Sequence, residues 1–204
     1  LQGGDWAVCF LNRGEAPRKV SFDWKQHAVT DGLSQASFSP DKLTYNHNFD
    51  PRNGEKGLEQ LRADAERFGL KGVKLYTAEW HGESRGWKLT DPWAYRYFEV
   101  CRELGITNIH VHKGPTIRPL DRDAFDVADI DHVASDFTDL NFIVEHVGLP
   151  RLEDFCWIAT QEPNVHGGLA VAMPFIHTRP RYFAQIIGEL LYWIGEDKIQ
   201  FSSD

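Results

Sequence analysis

The sequence predicts an α/β fold built from parallel strands, and two observations support this prediction. From about Lys42 onward, short apolar strands alternate with amphipathic helices, which is the pattern of successive βα units. The chain has 204 residues, of which 42% are hydrophobic and 25% charged, a length and composition typical of one main globular domain. No apolar run approaches the roughly 18 residues that would span a bilayer.

The elements follow in order along the chain. Strands are predicted at 42–48, 70–76, 106–112, 140–147, 165–173 and 198–204. Helices are predicted at 55–68, 92–104, 124–137, 151–161 and 179–194. The first helix is ended by Gly69, and the second begins at Asp91-Pro92 and is ended by Gly105. A closed (β/α)8 barrel needs eight units, so residues 41–204 predict a partial (β/α)8 TIM barrel of about six βα units.

Residues 1–37 predict a different structure. "DWAVCFLN" and "RKVSFDW" alternate apolar and polar residues and are joined by "RGEAP", which is typical of a β-hairpin. A hairpin pairs antiparallel, so we expect it not to complete the barrel. The composition changes at "SQASFSP" (34–40), which predicts a boundary between a hairpin or β-sandwich-like segment and the barrel.

The net charge limits the possible binding partners, and the cysteine pattern indicates the cellular compartment. The net charge is −8 without a run of lysine or arginine, which argues against nucleic acid and anionic membranes. A small-molecule substrate, a homo-oligomer and a protein partner are all compatible with this charge. Cys9, Cys101 and Cys156 are far apart and form no CxxC pair, which favours a reducing compartment and a cytoplasmic location.

Polar side chains stand at the predicted strand ends, where the residues of a βα barrel converge on one pocket. They are Lys74 or Tyr76, His112, His146 and Asp204. Imidazole and carboxylate groups are ligands for a divalent metal. A lone histidine at a strand end is more often a hydrogen-bonded structural residue, and Lys74 is as compatible with an ion pair as with a ligand contact. Because three such residues end three parallel strands, a shared site is the favoured interpretation.

Neighbouring residues are assigned lesser roles. His110 shares a face with His112 one layer deeper, which favours packing or support of a ligand over metal binding. Glu145 precedes His146, so strand alternation predicts that it faces the helices. The loop "EWHGESRGW" (79–87) carries His81 and Arg85, which are candidates for substrate contacts, with a solvated lid as the alternative.

Residues 41–204 resemble the amidohydrolase superfamily, in particular its metal-dependent hydrolases and nonoxidative decarboxylases related to aminocarboxymuconate semialdehyde decarboxylase. The matching phrases are "GLKGVKLY", "IHVHKG", "IVEHVGLP" and "KIQFSSD". The resemblance implies a barrel with a divalent metal, Zn or Mn, at the strand ends. By motif it implies that His112 binds metal, that His146 contacts metal or substrate, and that Asp204 binds metal and transfers the proton.

The sequence departs from this family in two places. The family's first-strand HxH pair has no counterpart before the first βα unit, which implies an incomplete metal site. Residues 1–35 instead resemble part of the C-terminal β-sandwich of α-galactosidases, as in a chimera or a wrongly assigned segment. We therefore expect the chain to be a fragment that, expressed alone, is neither a stable monomer nor an active enzyme.

Three functions follow as hypotheses. The first is a metal-dependent hydrolase or nonoxidative decarboxylase of a small carboxylated or cyclic substrate, with Asp204 and His146 catalytic and Lys74, Arg85 and His81 binding substrate. The second is a non-catalytic accessory or assembly protein that uses the barrel as a scaffold and surface tryptophans as an interface. Those tryptophans are Trp80, Trp87 and Trp93. The third, carbohydrate processing, rests on residues 1–35 alone.

Overall fold

A computed structural model of the protein describes residues 46–79, 81–115 and 121–201. Within these residues a single parallel sheet contains six strands in the order β1-β2-β3-β4-β5-β6. The strands are β1 (Asn46–Phe49), β2 (Gly72–Tyr76), β3 (Asn108–His112), β4 (Asn141–Glu145), β5 (Val165–Gly168) and β6 (Ile199–Gln200). The predicted sequence of six parallel strands is confirmed. The predicted hairpin at 1–37 and the domain boundary lie outside the described residues.

Helices connect the strands. They are α1 (Gly54–Phe68), α2 (Pro92–Glu103), α3 (Ala128–Asp136), α4 (Leu152–Gln161), α5 (Phe175–Thr178) and α6 (Pro180–Trp193). Several predicted boundaries differ from the observed ones, and two of the differences have a clear local cause. The third helix begins later than predicted because a 3-10 turn, Arg122–Phe125, precedes it. The fifth strand ends at Gly168 because Ala170, with φ 37°, turns the chain into a short 3-10 helix.

Helix ends follow the chemistry of their terminal residues. Gly69 adopts the left-handed conformation at φ 60° and donates its backbone N–H to Ala65 O at 2.9 Å, which ends α1. Pro92 occupies the first turn of α2, where its missing N–H costs nothing. The Asp91 carboxylate accepts the Lys88 N–H at 3.0 Å and so orders the entry into this helix.

The core lies between the sheet and the helices. One set of alternate strand residues, including Val73, Val111 and Val144, is buried against the helices. Phe98 of α2 packs edge-on against Phe137 and Phe142 at ring distances of 5.4 and 5.6 Å. Burial stabilises each such side chain by about 1.5–3 kcal/mol, so Phe98→Ala would open a cavity at the centre of the core.

The exposure of the tryptophans tests their predicted role in a surface interface. Trp87 is only 5% exposed, and its indole N–H donates to the Tyr76 carbonyl at 3.1 Å, so its assignment to a surface interface was wrong. Trp93 is exposed as predicted, and Trp80 lies outside the described residues. In the part of the chain that the structure describes, no helix is both long and apolar enough to cross a membrane.

Candidate active site

The sheet face opposite the core helices carries most of the polar strand residues. We call it the inner face. Strand register places its side chains in two adjacent rows. The lower row is Lys74, His110, Ile143 and His166, and the row at the carboxyl ends of the strands is Tyr76, His112, Glu145 and Gly168. A face with so many titratable groups is built for polar chemistry rather than for packing.

His112 and His146 meet at the carboxyl ends of β3 and β4. His146 Nε2 lies 2.9 Å from His112 Nδ1, and the rings cross at 71°. The Val171 N–H donates to His146 Nδ1 at 3.2 Å, so the neutral ring of His146 carries its proton on Nε2 and donates it to His112. His112 Nε2 then donates to Pro115 O at 3.2 Å. These hydrogen bonds assign the Nε2–H tautomer to both imidazoles.

Backbone geometry brings His146 to this position. His146 and Val147 have φ values of 64° and 45°, so the chain leaves the strand in the left-handed region immediately after Glu145. Gly114 makes room for the ring, because a Cβ at this position would lie 2.5 Å from His146 Cβ. The strain and the glycine together favour a functional rather than a packing role for the histidine.

Glu145 lies on the inner face, so the expectation that it faces the helices was wrong. Strand alternation does place Glu145 and His146 on opposite sides, but the turn at His146 carries the histidine back toward the site. Glu145 Oε1 accepts a hydrogen bond from His110 Nδ1 at 2.8 Å and pairs with Lys74 Nζ at 3.5 Å. Gly168 leaves space for Glu145 Oε2, which would lie 2.5 Å from an added Cβ.

The charges around Glu145 keep it ionised. Burial raises the pKa of this carboxyl, but the hydrogen bond from His110 and the positive charge of Lys74 outweigh burial. The pKa of Glu145 therefore lies below its ordinary value. Lys74 also lies over the Tyr76 ring at 5.5 Å, and Tyr76 stacks on His112 at 5.3 Å. The cluster around Glu145 and the histidine pair thus share the Tyr76 ring as a neighbour.

His81 belongs to a second cluster, beside the end of β1. His81 Nδ1 lies 3.0 Å from Asp50 Oδ2, and Arg52 forms a bidentate pair with the same carboxylate. Arg52 also donates to Glu79 O at 2.7 Å and Ser84 Oγ at 3.0 Å, which holds the loop after β2. Arg85, on this loop, is exposed. The roles of His81 and Arg85 in substrate binding stay predictions.

A buried ion pair supports the end of β3. Lys113, which follows His112, donates to Ala124 O at 3.1 Å and pairs with Asp129 Oδ1 at 2.8 Å. Asp129 Oδ2 in turn accepts the Leu89 N–H at 2.9 Å. Lys113 thus ties the strand end to α3, and Asp129 ties α3 to the loop after β2.

Several of these residues were missed from the sequence. Glu145 and Lys113 each adjoin a predicted site histidine, but period-two alternation alone points both away from the site. Gly114 and Gly168 gave a weak signal, because a glycine beside a strand end often marks a close approach. The pair "HV" at 146–147 gives no indication of a positive φ, since neither residue type favours it.

Imidazole nitrogens are suitable ligands for a divalent metal. In this structure, however, the ring nitrogens of His112 and His146 are already engaged in hydrogen bonds. A ligating imidazole must direct a lone pair at the ion, and here the lone pairs of His112 and His146 accept hydrogen bonds. Among the described residues, no group of three His, Cys, Asp or Glu side chains is arranged to hold a metal ion. Asp204 lies outside the described residues. Metal binding at His112 therefore requires that its contact with His146 be rearranged.

Comparison with known protein families identifies a matching family. The profile of the amidohydrolase family matches residues 35–204. Comparison with curated proteins finds no matching sequence.

Several solved structures resemble the chain. An uncharacterized TIM-barrel protein from Bordetella bronchiseptica is 20% identical with a TM-score of 0.63, and the match covers 80% of this chain and 54% of that one. 2,6-Dihydroxybenzoate decarboxylase from Rhizobium is 17% identical with a TM-score of 0.56, over 81% of this chain and 61% of that one. A 2,6-dihydroxybenzoate decarboxylase complexed with 2,6-dihydroxybenzoate is 16% identical with a TM-score of 0.57, over 81% of this chain and 60% of that one.

The chain thus spans only 54% to 61% of the length of these three structures. At 16% to 20% identity the likeness concerns the fold, which is that of a partial (β/α)8 barrel. The family profile covers most of the chain and includes His112, His146 and Asp204. The chain therefore belongs to the amidohydrolase family.

Proposed function

We propose that the chain is part of a metal-dependent hydrolase or nonoxidative decarboxylase that acts on a small carboxylated or cyclic substrate. The observation that carries the proposal is the contact of 2.9 Å between His112 and His146 at the ends of adjacent strands. Two imidazoles on a polar inner face, at the end of a βα sheet where active sites form, favour catalysis over packing.

Three residues would have distinct roles in the reaction. His112, His146 and Asp204 would hold a zinc or manganese ion, which supplies Lewis-acid polarisation of a substrate oxygen or of water. The Nε2–H of His146 is donated to His112 at 2.9 Å, so it could stabilise negative charge that develops on the substrate only once this contact is rearranged. Asp204 would take up or return the proton.

Substrate binding is assigned to the inner face and the loop after β2. Lys74 offers a cation, although a substrate carboxylate would compete with Glu145 for it at 3.5 Å. The exposed Tyr76 ring, stacked on His112, offers an aromatic surface for a cyclic substrate. Arg85 and His81 are further candidates, and His81 would need to leave Asp50 to reach a ligand.

Activity assays test this proposal. The decarboxylase neighbours make 2,6-dihydroxybenzoate a reasonable first substrate, with release of CO2 as the readout. We expect activity to disappear with a chelator, to return with zinc or manganese, and to fall by about 100-fold or more in His112→Ala. His132→Ala, on the exposed surface of α3, is the matched control. Turnover that survives chelation and the loss of His112 would contradict the proposal.

An exposed aromatic cluster favours the second candidate function, assembly with protein. Trp157 of α4 and Tyr192 of α6 are 58% and 80% exposed, and Trp193 contacts both rings edge-on. Large exposed aromatics are typical of protein interfaces. Light scattering over a concentration series tests this function. We expect Tyr192→Ser to weaken self-association, with Phe68→Ser on α1 as the control. If the mass of the wild type and of both variants stays the same at every concentration, self-assembly through this cluster is excluded.

A further inference from the structure

His110 is held by a carboxylate in the lower row of the inner face. Its Nδ1 lies 2.8 Å from Glu145 Oε1, and the two side chains are 20% and 11% exposed. An ionised carboxylate only accepts hydrogen bonds, so the proton of this contact belongs to His110 Nδ1. In the neutral ring, the lone pair is then on Nε2.

The second nitrogen of His110 differs from those of the neighbouring histidines. Within residues 46–79, 81–115 and 121–201, no hydrogen bond to His110 Nε2 is found. His112 and His146, in contrast, use both ring nitrogens. The His110 side chain is 20% exposed, so Nε2 can accept a hydrogen bond from water or from a ligand on the inner face.

A cation stands beside this acceptor. Lys74 is the register partner of His110 on the neighbouring strand, so their backbones are about 4.8 Å apart on the same face. Lys74 Nζ pairs with Glu145 Oε1, the same oxygen that holds His110. A donor and an acceptor are therefore fixed side by side by one carboxylate.

We propose that Glu145 is a positioning residue that keeps His110 in its Nδ1–H tautomer, so that Nε2 accepts a hydrogen bond from a hydroxyl group of the substrate. The same hydroxyl oxygen accepts from Lys74. The ligand class is thus a small hydroxyl-bearing molecule, and this assignment rests on the inner face being the substrate site of the proposed function. Carboxylate–imidazole pairs orient a histidine in this way in many active sites.

The space that Gly168 leaves beside the Glu145 carboxylate supports this positioning role. Gly168 lies where any side chain would press on Glu145 Oε2, at 2.5 Å from an added Cβ. Glu145 Oε1 also pairs with Lys74 Nζ at 3.5 Å, and a carboxylate in an ion pair accepts hydrogen bonds and donates none.

Nitrogen-15 NMR of protein labelled at histidine tests the tautomer in the metal-free state. We expect His110 to be protonated at Nδ1 in the wild type and to lose this signature in Glu145→Ala. Lys74→Met is the matched control, because it removes the other partner of Glu145 and leaves the contact with His110. A wild-type His110 protonated at Nε2, or a tautomer unchanged in Glu145→Ala, would overturn the proposal.

Phenol is the probe for the hydroxyl site. Its addition should shift the His110 Nε2 resonance more than that of His132 on exposed α3, and Glu145→Ala should remove the difference. Equal shifts at His110 and His132, or a His110 response that persists in Glu145→Ala, would reject the hydroxyl site. Neither experiment needs metal or turnover, so a failure here is distinguishable from a failure of the proposed metal-dependent reaction.

Discussion

Lys113 Nζ lies 2.8 Å from Asp129 Oδ1, and the lysine side chain has no exposure to solvent. Burial lowers the pKa of Lys113, while the adjacent Asp129 carboxylate acts in the opposite direction. The pair joins the end of β3 to α3, and Asp129 also accepts the Leu89 N–H. Because His112 directly precedes Lys113, this ion pair joins the residue next to the candidate site to α3.

Replacing Lys113 with methionine should destabilise the protein strongly. The change leaves Asp129 buried without its cation, which typically costs about 3–5 kcal/mol, whereas replacing both partners by apolar residues costs less. We therefore expect Lys113→Met to lower the free energy of unfolding, measured with urea, more than the double variant Lys113→Met with Asp129→Leu does. A double variant less stable than the single one would show that the Asp129 contact with Leu89 dominates instead.

Gly168→Ala should disturb the carboxylate of Glu145. The new methyl group would lie 2.5 Å from Oε2 and 3.1 Å from Cδ, so the side chain must move and its contact with His110 must lengthen. We expect a loss of about 1–3 kcal/mol in the free energy of unfolding. The control is Gly188→Ala in α6, which meets no atom within 4 Å and should be neutral or stabilising by up to about 1 kcal/mol. Equal stability of the two variants would contradict the prediction.

Gly114→Ala should separate the two site histidines. Its methyl group would lie 2.5 Å from His146 Cβ and 2.7 Å from Cγ, atoms that rotation about the side-chain bonds does not carry far. We expect the nitrogen-15 signals of His112 and His146 to change together, since the contact of 2.9 Å between them is lost. Unchanged signals for both rings would mean that the backbone at Gly114 yields instead.

Asp50 should make the free energy of unfolding depend on pH in the acidic range. Burial raises the pKa of this carboxyl, but the hydrogen bonds from Arg52 and His81 outweigh it and bring the pKa below its ordinary value. A carboxyl with a lowered pKa stabilises the fold above the unfolded value of about 3.9, and this contribution is lost as the pH falls toward the folded value.

The comparison of wild type with Asp50→Asn measures this contribution. Near neutral pH the wild type should be more stable by about 1.5–3 kcal/mol, which is the range for hydrogen bonds to a charged group. Urea unfolding at a series of pH values should show the difference shrinking from about pH 4 downward. A difference that stays constant throughout this range would contradict the role of the ionised carboxylate.

The sequence predicted the order of strands well because buried parallel strands alternate with helices that have one clear apolar face. It located His112 and His146 because both close such strands. It did not predict how the two rings meet, since that depends on the positive φ at His146 and on the small size of Gly114. Alternation also misplaced Glu145, because a rule for strands does not describe the turn that follows one.

Metal content is the most direct test of the central claim, that His112 and His146 form the core of a divalent metal site. Purified full-length protein should contain roughly one zinc or manganese ion per chain, as in a catalytic site of this kind. His112→Ala should lose the metal, whereas His132→Ala on the outer surface of α3 should retain it. A protein without bound metal after supply of both ions, or equal metal content in the two variants, would contradict the claim.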